Sequence, residues 1–187
     1  SHEAVKSIKI YDIKGALIKS ENAPDSVIKT DISSFPKGNY IISVETKSGI
    51  KTIEITLEND DPVLFKVDMG TSTFKTPEIP MASDMDEFLD SPLEVLDTTF
   101  NTTAISVGNP HAIIFVDNID EIDIDKYGPA IETHEVFPEK INVHFVEVIS
   151  KNEGKMLTWE RGAGVTLACG TGATSTAISG FKLGLFD

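Results

Sequence analysis

Thiol, indole and imidazole groups are scarce in this sequence, which holds one cysteine, one tryptophan and four histidines. A lone thiol, Cys169, cannot close an intrachain disulfide and cannot build a thiolate-rich zinc site. His2, His111, His134 and His144 are few for a histidine-based metal site, and none is expected. Positive charge is short as well. The 16 Lys and Arg against 30 Asp and Glu leave a net charge of -14, a surface that a phosphate backbone or an anionic membrane would repel. Neither nucleic acid nor membrane is therefore expected as a partner. No apolar run approaches the ~20 residues needed to cross a bilayer. No basic segment followed by an apolar core opens the sequence, so no signal peptide is expected in it. What is present, 40% hydrophobic and 25% charged residues over 187 positions, suits one globular domain or two small ones.

The first third reads as closely spaced short strands. Ser7 to Asp12 alternates polar and apolar side chains, and Lys14-Gly15 supplies a turn. Ala16 to Ser20 and Val27 to Ile32 are further apolar stretches of strand length. Pro36-Lys37-Gly38 marks another turn, before strands at Asn39 to Val44 and, past Gly49, at Lys51 to Leu57. Five short strands with tight turns and no helix predict a small antiparallel β-sandwich. Ile8-Lys9-Ile10-Tyr11-Asp12, Lys14-Gly15, Asp31-Ile32-Ser33 and Pro36-Lys37-Gly38-Asn39-Tyr40-Ile41 followed by Gly49 resemble the sorting domain of the type IX secretion system. In that family the module is a C-terminal address read by the secretion machinery, whereas here it occupies about residues 3–56. A β module with no sorting role stays open beside that reading.

The second part is expected to begin between Val44 and Asn59, giving modules of 1–56 and 57–187. Leu64 to Met69 reads as a strand ending at Gly70, and the acidic, proline-containing stretch from Pro77 to Leu96 as a loop with one helical turn. Strands are predicted at Thr103 to Val107, Ala112 to Val116, Asn142 to Val148 and Met156 to Trp159, with a short helix near Ile122 to Tyr127. In Gly172 to Leu183, Ala173, Ala177, Ile178 and Phe181 recur at helical spacing, and Gly184 follows as a C-cap. The fold class is α/β (α+β), with strands around a packed helix and a mixed or antiparallel sheet.

The strongest chemical signal is Thr166-Leu167-Ala168-Cys169-Gly170-Thr171-Gly172-Ala173. The first-turn N–H groups of a helix have no intrahelical acceptor, and the helix dipole is positive there, so an anion can be held at that end. Glycines let the backbone approach the anion closely. The same field favours a thiolate, so a cysteine at this place can act as a base. A carboxylate bound at the helix end would set its α-carbon beside the thiol, ready for proton transfer.

That segment, together with Val67-Asp68-Met69-Gly70, Val107-Gly108-Asn109-Pro110-His111-Ala112, Gly128-Pro129-Ala130-Ile131-Glu132, Phe137-Pro138, Asn142-Val143-His144-Phe145 and Trp159-Glu160-Arg161-Gly162, resembles the C-terminal half of the diaminopimelate epimerases over about residues 45–187. Glu45-Thr46-Lys47-Ser48-Gly49-Ile50 fits the opening of that half too, so this segment fits either module. The resemblance implies a cofactor-independent isomerase of lysine biosynthesis that converts LL- to meso-diaminopimelate, a small amino-acid substrate. It implies two cysteines facing each other across the α-carbon, of which Cys169 is one. It implies that Glu160 and Arg161 hold the distal charged groups and that Asn109 and Asn142 fix orientation. The backbone of Gly170 and Thr171 would cradle the reacting carboxylate, with His111 in support.

Each residue also has a plainer reading. A cysteine in an apolar sequence is ordinarily a small buried hydrophobe. Glu160-Arg161 alone would be a surface ion pair, and Asn109 before Pro110 a turn residue. The match departs from the family in three ways. The Asn-Asp-Phe and Cys-Gly-Asn-Gly motifs of the family's first half do not occur, Val165 stands where the family usually has glutamate, and the resemblance stops directly after the helix. A two-base epimerisation needs a second acid/base beyond Cys169. The early stop predicts an open sheet edge and hence a second chain or a homodimer. Three uses remain: half of an epimerase site, an interaction module without turnover, or a secretion-related fusion. The first implies the cytoplasm and the last implies export.

Overall fold

The computed structural model describes residues 5–22, 30–32, 34–36, 38–46, 49–58 and 61–187. The chain divides into two compact units, His2–Gly70 and Thr71–Asp187. Among the described residues, no helix is long and apolar enough to cross a membrane.

In the first unit, strands β1 (Val5–Asp12), β2 (Leu17–Asn22), β3 (Asn39–Thr46), β4 (Gly49–Glu58) and β5 (Asp61–Asp68) form one antiparallel sheet in the order β2-β1-β3-β4-β5. The first hairpin follows from two residues. The Asp12 carboxylate accepts the N–H groups of Lys14 and Ala16, both at 2.9 Å, and Gly15 takes φ +85°, which a side chain would resist. Ile10, Tyr40 and Ile55 make the buried core of the sheet, with Ile32 and Phe35 packed over them. Two expectations change here. The described residues form a single sheet with a covering loop rather than the two layers of a sandwich. The strand expected at Leu64 to Met69 at the start of the second module is β5, and it pairs with β4. Backbone pairing decides that membership, and hydropathy does not report it. Of the strand expected at Val27 to Ile32, residues 30–32 are irregular and 27–29 lie outside the described residues, as does Lys37 of the predicted turn.

The second unit is a six-stranded mixed sheet: β6 (Ser91–Val95), β7 (Thr98–Ser106), β8 (Pro110–Val116), β9 (Asn142–Ser150), β10 (Glu153–Glu160) and β11 (Gly164–Thr166), in the order β11-β10-β9-β8-β7-β6. Only β8 and β9 run parallel, and helix α1 (Ile124–Glu132) lies in the crossover between them. Helix α2 (Gly170–Lys182) closes the unit. Because side chains alternate across a strand, the two central strands feed both faces. Ala112, Ile114, Val143 and Phe145 join Ile131 of α1 in one core, while Ile113 and Val146 join Ile178 of α2 in another. This explains the near-continuous apolar run of β8, whose residues 110–114 are all buried. The predicted strands of this unit are found, each longer than expected, although β7 ends at Ser106, one residue before the predicted Val107. The loop expected over Pro77 to Leu96 holds strand β6 as well as a 3-10 turn at Thr76–Glu78. Strand β6 is an edge strand that buries Ser91, Leu93 and Val95 and exposes Pro92 and Glu94, a five-residue alternation that its proline and acid mask. The short helix runs later than expected, because the Asp123 carboxylate caps it by accepting the N–H of Lys126 at 3.1 Å.

Phe145 is fully buried and meets Phe100 edge-on at 5.4 Å between centroids. We expect Phe145→Ala to cost about 3–5 kcal/mol in urea unfolding of the whole chain, since it leaves a cavity that the rigid sheet cannot collapse.

Candidate active site

The sequence puts Asn109 and His111 two residues apart at the start of β8, and Asn142 and His144 two apart at the start of β9. A spacing of two places each pair on one face of its strand. The parallel register sets His111 beside Asn142 and Ile113 beside His144, on the face that α2 covers. Four polar side chains thus gather at the amino ends of β8 and β9, where the first turn of α2 meets Asn109 and His144.

Cys169 is the N-cap of α2. Its backbone is extended, with φ -139°, and its Sγ accepts the N–H of Gly172 at 3.3 Å. Thr171 Oγ1 stands 3.5 Å from the same sulfur. Asn109 Nδ2 donates to Thr171 Oγ1 at 3.4 Å, and Asn109 Oδ1 is 3.1 Å from His111 Nε2. The line continues inward: His111 Nδ1 meets His144 Nε2 at 2.9 Å, and His144 Nδ1 meets Thr158 Oγ1 at 3.1 Å. Gly172 is where it is because of this line. A Cβ there would stand 2.3 Å from Cε1 of His144, so only glycine lets the first turn of α2 sit on the imidazole. Gly170 differs, since a Cβ added there meets nothing within 4 Å, so the helix start faces open space.

Asn142 serves a second network. Its Nδ2 donates to the Pro110 carbonyl at 2.9 Å, and its Oδ1 accepts the Arg161 N–H at 2.9 Å, so one amide ties the Asn109 segment to the Glu160-Arg161 turn. The Glu160 carboxylate accepts the Thr166 hydroxyl at 2.7 Å, and Arg161 Nη1 donates to the Glu139 carbonyl at 3.1 Å. Beneath this turn lies Glu132, at the end of α1. It accepts Trp159 Nε1 at 2.7 Å, the Gly162 N–H at 3.0 Å and Lys140 Nζ at 3.3 Å. Burial would raise the Glu132 carboxyl, but these three donors outweigh it and hold it below its ordinary value. Gly128 of α1 lets the helix approach, because a Cβ there would stand 2.7 Å from the indole of Trp159.

The eight residues singled out from the sequence therefore fall into two linked networks. Cys169, Thr171, Asn109 and His111 share one line of hydrogen bonds with Gly170 beside it, while Asn142, Arg161 and Glu160 share the turn between β10 and β11. Sequence reasoning missed His144, Thr158 and Glu132 as parts of the site. The signal available was a polar side chain every second residue in strands otherwise apolar, Asn109/His111 and Asn142/His144.

The sequence profile described as diaminopimelate epimerase matches residues 103–187. Residues 103–187 belong to the diaminopimelate epimerase family. A second profile, described as a secretion system C-terminal sorting domain, matches residues 1–58. Among curated relatives, the diaminopimelate epimerase of Methanothermobacter thermautotrophicus is 57% identical over 146 residues, covering 78% of this chain and 51% of that protein. The diaminopimelate epimerase of Carboxydothermus hydrogenoformans is 47% identical over 163 residues, 87% of this chain and 58% of its own length. That of Methanocaldococcus jannaschii is 40% identical over 194 aligned residues, 93% and 66% respectively. This chain spans about half the length of the first of these relatives. The matches to diaminopimelate epimerases include the Asn109–His111 corner, the Glu160-Arg161 turn and the Cys169 segment within the profiled region.

Burial, with the neighbouring His144 ring and the Arg161 guanidinium adding to it, lowers His111 to about 3, and burial lowers His144 to about 4. Both rings are therefore neutral when folded, whereas an unfolded histidine takes up a proton near 6.5. Between those values the unfolded chain binds more protons, so their contribution is intact above about 6.5 and is lost as pH falls. We expect the two rings to lower unfolding free energy by about 2 kcal/mol each between pH 6.5 and 5. Urea unfolding at the two pH values checks this, and His144→Gln should remove about half of the difference. We expect Glu132→Gln to cost about 1–3 kcal/mol, because an amide cannot accept from all three donors. The emission of Trp159, the sole tryptophan, reports on that turn and should shift to the red.

Proposed function

We propose that this chain supplies one half of the site of a cofactor-independent amino-acid epimerase that interconverts LL- and meso-diaminopimelate. The observation that carries the reading is Cys169 at the N-cap of α2, with its sulfur held by the Gly172 N–H and Thr171 and with open space over Gly170. The α-carboxylate of the substrate would take the N–H groups of the first turn at Gly170 and Thr171, where helix N–H groups lack intrahelical acceptors and the dipole is positive. The α-carbon would then stand beside Sγ. The Cys169 thiolate takes the α-proton and becomes a thiol. The electron pair left on the carbon is delocalised into the carboxylate, and a proton returns on the opposite face from a second acid, inverting the centre. The sequence has one cysteine, so a second thiol has to come from outside these 187 residues. Glu160 and Arg161 would receive the ammonium and carboxylate of the distal centre, as a rigid pair on a turn fixed by Glu132 and Asn142.

The match of residues 1–58 to a secretion sorting domain favours a second reading, in which the second unit is an exported interaction module that binds without turnover. Synthesis of a lysine precursor belongs in the cytoplasm, so cell location separates the two.

The experiment is solvent-exchange NMR of meso- and LL-diaminopimelate in D₂O with the whole chain. We expect loss of the α-proton signal with epimer interconversion once a partner chain bearing the second thiol is present, and neither with Cys169→Ala. Gly170→Ala should leave stability unchanged, since its added methyl meets nothing, and should cut exchange by about tenfold or more by filling the carboxylate's place. Exchange that survives Cys169→Ala would overturn the reading.

A further inference from the structure

The hydrogen bonds behind Cys169 have a direction that their chemistry fixes. The Asn109 amide oxygen only accepts, so His111 Nε2 is the protonated nitrogen where they meet at 3.1 Å. A neutral His111 then has a bare Nδ1, which has to accept, and His144 Nε2 at 2.9 Å is the donor. A neutral His144 in turn has a bare Nδ1, and the Thr158 hydroxyl at 3.1 Å donates to it. At the other end Asn109 Nδ2 donates to Thr171 Oγ1, whose own proton is thereby free to point at Sγ, 3.5 Å away. The same sulfur already accepts from the Gly172 N–H.

We propose that Thr158 and His144 are positioning residues in a one-way chain of donors, running Thr158 to His144 to His111 to Asn109 to Thr171 and ending on the Cys169 sulfur. Four of the six members lie on β8, β9 and β10 or at the mouth of β8, and Thr158, His144 and His111 are almost wholly buried. Water therefore does not compete along the inner part of the chain, and each bond polarises the next. The low proton affinity of both rings fits this arrangement, since a charged imidazole would have to donate from both nitrogens and would break the sequence of roles. Thr158 is the terminus that begins the series: the Asn109 oxygen fixes the tautomer of both histidines, and the Thr158 hydroxyl, in the second half of β10, supplies the donor that the bare Nδ1 of His144 then needs. His144 has a second part, because its ring is the floor on which Gly172 rests and so holds the N–H that donates to Sγ. The inference rests on Cys169 acting as the acid/base of the proposed reaction, but it concerns the protonation of two rings behind that sulfur.

The test has two arms, neither of which uses diaminopimelate, so a failed chain and a failed epimerase reading are told apart. In the first, long-range proton–nitrogen correlation spectra of the nitrogen-15-labelled chain are recorded at pH 7 and pH 5, with His144→Gln for assignment. We expect both His111 and His144 to carry the proton on Nε2 and a bare Nδ1 at both pH values. A proton on Nδ1 of either ring means a reversed or broken chain and overturns the proposal. In the second arm, iodoacetamide alkylation of Cys169, the sole thiol, is timed at pH 7. We expect Thr158→Val to slow alkylation by about threefold to tenfold by removing the first donor. Thr158→Ser, which keeps the hydroxyl, should restore the parent rate. Alkylation of the valine variant at the parent rate, or an equal slowing in the serine variant, would show Thr158 to be a packing residue only.

Discussion

The second unit turns on one contact, the hydrogen bond between His111 Nδ1 and His144 Nε2 near the start of a parallel strand pair. Neighbouring strands lie about 4.8 Å apart, so two side chains on the same face of adjacent strands can reach each other only if the register is right. A slip by one residue would turn His144 to the opposite face, into the core made by Val143 and Phe145, and bring an apolar side chain beneath α2. The contact therefore reports the register of β8 against β9. That register carries Asn109 and Asn142 with it, and these hold the two segments where the charged and thiol groups sit.

Placing two imidazoles in the interior of an apolar sheet has a cost, and the structure offsets it in two ways. Each ring is kept neutral, so no bare charge is buried. Each ring nitrogen also has a partner, with His111 between Asn109 and His144 and His144 between His111 and Thr158. A half-satisfied network in such surroundings would be worse than an apolar one, so the members stand or fall together. The stability of the sheet and the order of the Cys169 environment are in this way one property rather than two.

Much of this was legible from residue order. The strands of the second unit, the final helix and its glycine cap follow from hydrophobic period and turn chemistry. The Cys169 segment announced itself by the glycines at a helix start. What was not legible has physical causes. Strand β6 is a five-residue edge strand carrying a proline and a glutamate, so its alternation is too short to stand out. Strand β5 reads as a strand on its own, but the sheet it joins is decided by pairing over a distance in sequence. The roles of His144, Thr158 and Glu132 depend on which strands are neighbours, which only the register supplies. Asn142 and His144 at alternate positions were the visible trace of it.

The two asparagines show how the site divides its labour. Asn142 spends its oxygen on the Arg161 N–H and a proton on the Pro110 carbonyl, both backbone groups. Glu132 spends its oxygens on a backbone N–H, an indole and a lysine. Side chains committed in this way hold their neighbours to within a fraction of an ångström and have little left to offer a ligand. On the proposed reading, recognition would fall to the first-turn backbone at Gly170 and Thr171 and to the charged pair Glu160 and Arg161. On that reading the same carbon would have to be accepted in both configurations, and binding through the helix start and the distal pair would suit this, because neither depends on the hand of the reacting centre. The hand would then enter only through Sγ, placed on one face of that carbon, with the donors behind it ending on that sulfur.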